Sequence, residues 1–324
     1  GDVYKRQVMI FVLSTGIALS QGVTTSGISG VVAEANGQPL PGANVVATHL
    51  PSGTRYGSVT NTDGKYSIPG MRVGGPYRLS VSFIGFASKE VDGIVLSLGV
   101  FSNVNVNLVE DGQDLSEVVV TASANNLFSN ERTGASTSID NRSLTKLPTI
   151  SRSINDFTRL TPQSNGQSFA GQDSRLNNIT VDGSYFNNSF GLGSGSNPGG
   201  RTGVSPISLD AIEQISVNVA PYDVRQGNFT GAGVNTVTRS GTNEFSGSAY
   251  YFWRNNNNVG TQAGDNVFNP GKFNYNQIGF RVGGPIIKDK LFFFASFEDE
   301  AEARPGTTWR ANNGNEPIEG NAVS

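Results

Sequence analysis

Few residues in this chain could carry out chemistry. There is one histidine, His49, and no cysteine. Disulfide frameworks, thiolate zinc sites and His-rich metal sites are therefore excluded. A Ser-His-Asp triad would have to be built on His49 alone. A zinc carboxypeptidase site needs two His and a Glu, so His49, at the end of a β-prone run, reads as structural. Ser143-Leu144-Thr145-Lys146 has the Ser-x-x-Lys spacing of a β-lactam-binding nucleophile, but its partner motifs Ser-Asp-Asn and Lys-Thr-Gly do not occur. Gly191-x-Gly193-x-Gly195 lies in a loop rich in Gly, Ser and Asn from Asn187 to Gly203. It has neither the phosphate-loop Gly-Lys-Ser/Thr ending nor the dinucleotide spacing. No carboxylate pair has a recognisable acid/base context. The expectation is a protein that is not an enzyme, with no catalytic residue, no metal site and no cofactor.

What the chain offers instead is backbone chemistry. Glu117-Val118-Val119-Val120-Thr121-Ala122 sits between the polar stretches Glu110–Asp114 and Ser123–Asn126. Three consecutive valines flanked this way cannot make a core. They favour an extended strand that adds to a sheet edge. The alternative is a last strand for whatever precedes it, although Val104–Leu108 already supplies one.

The elements around this segment read as β-structure. Of 324 residues, 36% are hydrophobic and 15% charged, with 41 Gly, 19 Phe and 9 Tyr. Helical bundles need more Ala, Glu, Lys and Leu than this. Charge-driven disorder does not tolerate so many aromatics. The net charge of −3 gives no basic surface for nucleic acid. At the N-terminus, Lys5 and Arg6 precede an apolar run from Val8 to Leu19, with Ala18-Leu19-Ser20 before Gln21. Residues 1–20 are expected to be a signal peptide cleaved between Ser20 and Gln21. The run is too short to span a bilayer as a helix. Met9 lies inside it, so the first residues read as a truncation or a scar.

Residues 26–110 read as a β-sandwich of short strands with regular turn signals. Ile28–Ala33, Ala43–Thr48, Tyr56–Thr60 and Lys65–Ile68 are β-prone, and Asp63-Gly64 marks a tight turn. Tyr77, Leu79, Val81 and Phe83 alternate onto one face. Gly30-Val31-Val32, Gly37-Gln38-Pro39-Leu40-Pro41-Gly42-Ala43, Thr62-Asp63-Gly64-Lys65-Tyr66 and Ile84-Gly85-Phe86 together resemble the carboxypeptidase regulatory-like domain. That name implies no peptidase activity here. In this context Glu117–Ala122 resembles the TonB box of TonB-dependent outer-membrane receptors. A regulatory-like domain before such a box is an arrangement of receptors in Bacteroidetes-type bacteria. Residues 111–125 are thus a linker carrying the box.

Residues 126–240 resemble the receptor plug, an αβ domain that blocks the barrel. Ser143–Leu147 and Ser153–Leu160 are short helix-like patches with Ser151 or Ser153 as caps. Ile154, Phe157 and Leu160 are expected to form a buried stripe. Asn178–Gly183 resembles the family's strand before an Asp-Gly turn. Ala211–Val217 resembles its Ile-Glu-x-Ile-x-Val strand, with Ile215, Val217 and Val219 inward. Gly231–Arg239 resembles its glycine-rich closing strand. The plug motif residues are then Asp182, Gly183, Glu213, Arg225, Gly231, Gly233 and Arg239. Val219-Ala220-Pro221-Tyr222-Asp223, with Arg225-Gln226-Gly227, departs from the siderophore receptors toward the Oar-like branch, so ligand class does not carry over.

Residues 241–324 read as the start of an outer-membrane β-barrel. Phe245, Gly247, Ala249, Tyr251 and Trp253 share a face, as do Ile278, Phe280 and Val282. Leu291–Phe297 is heavily aromatic. At roughly 10 residues per strand this stretch holds three or four strands. A plugged transporter has about 22, so the chain reads as an N-terminal fragment. The overall expectation is mainly β: a sandwich, an α+β plug and the first strands of a barrel. The resemblance implies energised uptake of a bulky ligand. The alternative is a surface adhesion or matrix-organising protein on the same scaffold. The partners implied are TonB with ExbB and ExbD, outer-membrane lipid, and an unknown extracellular ligand, with a surface lipoprotein as a further candidate. The implied location is the outer membrane, with the N-terminal domain in the periplasm.

Overall fold

The structure is a computed structural model that describes residues 23–111, 134–147, 149, 152–188, 205, 207–221, 223, 226–267 and 271–303. The chain divides into two compact units, Gly1–Arg239 and Ser240–Ser324.

The first unit begins with a sandwich of two sheets. One sheet holds β1 (Ser26–Glu34), β4 (Lys65–Met71), β7 (Phe101–Asn103) and β8 (Val106–Leu108). The other holds β2 (Asn44–His49), β3 (Thr54–Val59), β5 (Gly74–Ser82) and β6 (Lys89–Leu96) in the order β3-β2-β5-β6. Period-2 alternation puts Ile28, Val32, Tyr66 and Ile68 of one sheet against Val45, Ala47, Tyr77, Leu79 and Val81 of the other, all buried. Each Val, Leu or Ile among them contributes roughly 1.5–3 kcal/mol by leaving water. Phe83, at the end of its alternating run, packs half-buried against this core.

The Asp63-Gly64 turn forms, but it does not close a hairpin. β3 pairs with β2 and β4 pairs with β1, so the turn carries the chain from one sheet to the other. The Asn61 side chain holds the corner by accepting from the Asp63 and Lys65 amides at 3.0 and 2.8 Å. Gly64 sits at φ +70, with no room for a Cβ beside the Val32 carbonyl.

His49 is 3% exposed. Its Nδ1 lies 2.7 Å from Ser52 Oγ, which lies 2.8 Å from Thr54 Oγ1. Its ring packs 4.8 Å from that of Tyr77. Burial, with the Arg72 charge nearby, lowers its pKa from 6.5 to about 4. Burial also pushes the Tyr66 and Tyr77 phenols up. Their hydroxyls donate to the Val104 and Arg72 carbonyls.

After the sandwich come β9 (Gly134–Asp140), α1 (Asn141–Lys146), α2 (Ile154–Thr158), a small hairpin of β10 (Ser164–Asn165) and β11 (Ser168–Phe169), then β12 (Asn178–Val181), β13 (Ser184–Tyr185), β14 (Ile212–Pro221) and β15 (Gly233–Thr238). Five of these strands make a mixed sheet in the order β13-β12-β15-β14-β9, with β12 and β15 parallel. Ile139, Ile154, Phe157, Ile179, Ile215, Val217 and Val234 lie in its core.

Three expectations need correcting. α1 starts at Asn141 because Asp140 caps it, accepting from the Ser143 amide at 2.9 Å. α2 is capped by Ser153 but ends at Thr158, so Leu160 falls beyond the helix and is 46% exposed. Val219 sits where the β14–β9 register shifts, and is only half-buried against the core.

The second unit is a meander of three long strands, β16 (Ser246–Asn255), β19 (Asn274–Ile287) and β20 (Leu291–Ala303), in the order β16-β19-β20. A single turn of 3₁₀ helix, Asn256–Asn258, and a two-residue hairpin of β17 (Gln262–Ala263) and β18 (Asn266–Val267) fill part of the connection from β16 to β19. The register pairs Tyr250 with Gly279 and Phe280 with Phe297. No helix among the described residues is long and apolar enough to cross a membrane.

Candidate functional site: the mixed sheet, its sandwich junction and the long strands

Because β12 and β15 run parallel, the Asp182-Gly183 turn and the end of β15 meet at one end of the sheet. Asp182 has φ +49 and Gly183 φ +81. Asp tolerates the left-handed region better than most residues, and here its side chain is occupied. Its carboxylate accepts from the Thr238 amide at 2.9 Å and the Thr238 hydroxyl at 2.7 Å. Its own amide donates to the Thr236 carbonyl at 2.9 Å. The turn therefore clamps β15 to β12. At the same end the Arg239 amide donates to the Ala211 carbonyl, and its Nε to that of Ile212 at 3.3 Å. Its guanidinium stands 3.8 Å from the Glu213 carboxylate. A partly exposed pair at that distance contributes about 1 kcal/mol or less.

Gly231 and Gly233 lie at the opposite end. A Cβ on Gly231 would stand 2.3 Å from Asn177 Oδ1, and one on Gly233 would stand 2.8 Å from the Phe229 ring. Both positions require glycine for close approach. Asn177 uses the space: its Oδ1 accepts from the Ala232 amide at 3.0 Å and its Nδ2 donates to the Gln167 carbonyl at 2.8 Å. Neighbouring Asn178 donates to the Gly227 carbonyl and accepts from Asn187. The motif residues thus fall into two groups at opposite ends of the sheet, with Asp182, Gly183, Glu213 and Arg239 in one and Gly231 and Gly233 in the other. Arg225, Ser20, Gln21 and the segment Glu117–Ala122 lie outside the described residues.

Sequence reasoning missed the second face of β14. Gln214, Ser216 and Asn218 alternate with Ile215 and Val217, a pattern that reads as solvent-facing, yet all three are buried. Beside that face lies the corner of the sandwich after β6. Gln214 Oε1 accepts from the Leu98 amide at 3.0 Å, and its Nε2 donates to Ser138 Oγ on β9 at 2.5 Å. Val23, Val73 and Leu98 cluster there against Val237. Gly74 leaves room for the Glu213 carboxylate, 2.9 Å from where its Cβ would be. A cavity of about 350 Å³ runs along the junction between Phe101, Ser136, Asn218 and Asn235. The one available signal was the polar row itself, and only a partner for it could reveal its use.

The long strands present two faces. Tyr251, Ile278, Phe280, Val282 and Phe297 lie on one face and are exposed. The other carries Tyr250, Gln277, Arg281, Glu298, Glu300 and Glu302. The Tyr250 hydroxyl donates to the Glu298 carboxylate, and the Arg254 guanidinium lies over the Tyr275 ring at 4.7 Å. An apolar outer face backed by a polar inner one is how strands cross an outer membrane.

A family model described as a carboxypeptidase regulatory-like domain matches residues 27–109, and one described as an outer membrane beta barrel domain matches residues 237–313. A regulatory-like sandwich, a small mixed sheet and outer-membrane barrel strands, in that order, support a likeness to the TonB-dependent outer-membrane receptors. Over 315 residues it is 28% identical to the TonB-dependent transporter Oar of Myxococcus xanthus, covering 87% of this chain and 28% of that protein. The chain thus spans under a third of the length of that curated relative.

Two solved structures are similar at low score. The siderophore receptor PirA from Acinetobacter baumannii has TM-score 0.40 at 24% identity, over 52% of this chain and 24% of that one. Wild-type catechol 1,2-dioxygenase from Acinetobacter radioresistens has TM-score 0.24 at 16% identity, over 32% and 60%. Scores this low fix neither fold nor function.

Proposed function

We propose that this chain serves TonB-dependent uptake of a bulky ligand across the outer membrane. The observation that carries the reading is the similarity to the transporter Oar, which extends over 87% of the chain. In this reading residues 1–20 direct export, and 26–110 form a periplasmic regulatory-like domain. Residues 111–125 hold the TonB box, 126–240 form the plug, and 241–324 begin the barrel. A plug that fills the barrel must move or open locally before solute passes, and the outer membrane has no nucleotide supply. The work must come by contact from the periplasm. Glu117–Ala122 is suited to that contact. Strand addition to TonB would give a row of main-chain hydrogen bonds that resists pulling.

The test uses the full-length receptor. Val119→Pro removes a donor inside the paired strand and is expected to abolish uptake while surface ligand binding persists. Val119→Ala keeps the backbone and is expected to be mild. The sequence has no cysteine, so single Cys substitutions at 117–122 should crosslink to Cys-bearing TonB without background. Normal transport by Val119→Pro, with no crosslink at any position, would sink the reading and favour the adhesion role.

A further inference from the structure

We infer that the sandwich is a releasable clamp on β9, acting through Gln214. The Gln214 side chain joins three elements at once. It extends from β14, accepts from the Leu98 amide of the sandwich and donates to Ser138 of β9. Among the described residues β9 is an edge strand whose only sheet neighbour is β14. The bond to Ser138 is a side-chain tie that adds to that pairing. The Leu98 amide fixes the orientation of the Gln214 amide group, because the Oε1 that accepts from Leu98 leaves Nε2 aimed at β9. Removing the sandwich frees the group to rotate and weakens the tie. Gln214 is in this sense a positioning residue that links sandwich docking to β9 anchoring.

The junction is also the part of this unit most able to open. Among the described residues the sandwich core has 17 buried residues and the mixed-sheet core has 12, but the junction cluster has three, Val23, Val73 and Leu98, against a half-buried Val237. Polar contacts add to it, Gln214 bonding the Leu98 amide and Glu213 lying against Gly74, and the cavity beside it leaves part of the surface unpacked. Local opening starts where few apolar contacts are buried, and polar interfaces within a chain are the reversible kind. The sandwich should therefore undock before either core loosens, and β9 should lose protection with it. The consequence for transport rests on the reading above, since β9 is the first described strand after Glu117–Ala122. The coupling itself does not depend on it.

Hydrogen exchange on the intact chain tests the coupling. Two variants break the link from opposite sides: Gln214→Ala, and Val23→Asp, which puts a charge in the junction cluster and changes no residue of the mixed sheet. In both, the amides of β9 and of Leu98 are expected to exchange roughly fivefold to tenfold faster, as for loss of one buried hydrogen bond. The amides of β12 and β15 should keep their protection. If Val23→Asp exposes Leu98 and leaves β9 unchanged, the two are not coupled. If Val23→Asp leaves Leu98 protected, the cluster does not hold the junction. Either outcome overturns the inference. General loss of protection in Gln214→Ala would reflect misfolding of that variant, and Val23→Asp alone then decides. TonB crosslinking at 117–122 is read separately, so failure of the transport reading and failure of the clamp give different results.

Discussion

Lowering the pH from 7.5 to 4.5 should destabilise the sandwich through one side chain, His49. Its pKa falls from 6.5 to about 4 in the folded chain, because burial penalises the imidazolium and the Arg72 charge adds to the penalty. The folded state therefore binds fewer protons than the unfolded state between these two values, and stability rises with pH across that window. The full contribution is present above about pH 6.5. It is lost as the pH falls towards 4, below which no further loss comes from this group. Integrated to pH 4.5, the loss is ~2.5 kcal/mol. With a urea m-value of ~1 kcal/mol/M for so small a domain, the midpoint should move by about 2.5 M. Among the described residues the sandwich core draws on none outside 28–108, so residues 23–111 are expected to unfold cooperatively on their own, which allows the measurement by circular dichroism. His49→Gln can keep a bond to Ser52 and does not titrate. Its midpoint should stay nearly constant over the same range. Equal losses in the wild type and His49→Gln would refute the argument and place the acid sensitivity in the carboxylates.

Other outcomes follow from the mixed sheet and the long strands. Asp182→Ala removes both bonds to Thr238 and puts Ala at a positive φ, and should cost the intact chain about 1–3 kcal/mol in urea unfolding. Asp182→Asn, which tolerates that φ and still accepts one bond, should recover part of the loss. Gly231→Ala would drive a Cβ against Asn177 Oδ1 and displace the acceptor of the Ala232 amide, for a similar loss of roughly 1–3 kcal/mol. Phe280→Arg puts a charge mid-strand on the outer face and should cost the full-length receptor about 2–4 kcal/mol of folding into vesicles. Normal folding yield would argue against that face meeting lipid.

The sandwich was legible because its strands obey a period of two and its turns carry the residues that such turns demand. The corner at Asp63-Gly64 was not, because the same turn chemistry serves a hairpin and a crossing between sheets. Only the tertiary partners of β3 and β4 distinguish them. Leu160 looked like a third core residue because helical spacing assumes that the helix continues. It stops at Thr158, ahead of the stop signal at Pro162. The Asp182-Gly183 turn was visible as a motif, but its clamp on Thr238 joins residues 56 apart in sequence. Gln214 was the hardest to see. A polar residue every second position on a strand predicts water on that face, and here a second domain takes the place of water.

In the long strands, Tyr250 faces Gly279, and the Phe245 ring packs over Gly284. A Cβ at either glycine would stand about 2.3–2.5 Å from those rings. This arrangement restricts the register of β16 against β19. Sliding β16 by one residue against β19 would turn its outer aromatics inward, an error that lipid rejects. Sliding it by two would keep the faces correct, so amphipathicity cannot detect it. It would, however, bring Tyr250 opposite Gln277 or Arg281, whose side chains fill the space that Gly279 leaves open. The hydrophobic pattern thus disfavours a slip by one, and the ring-over-glycine seats disfavour a slip by two.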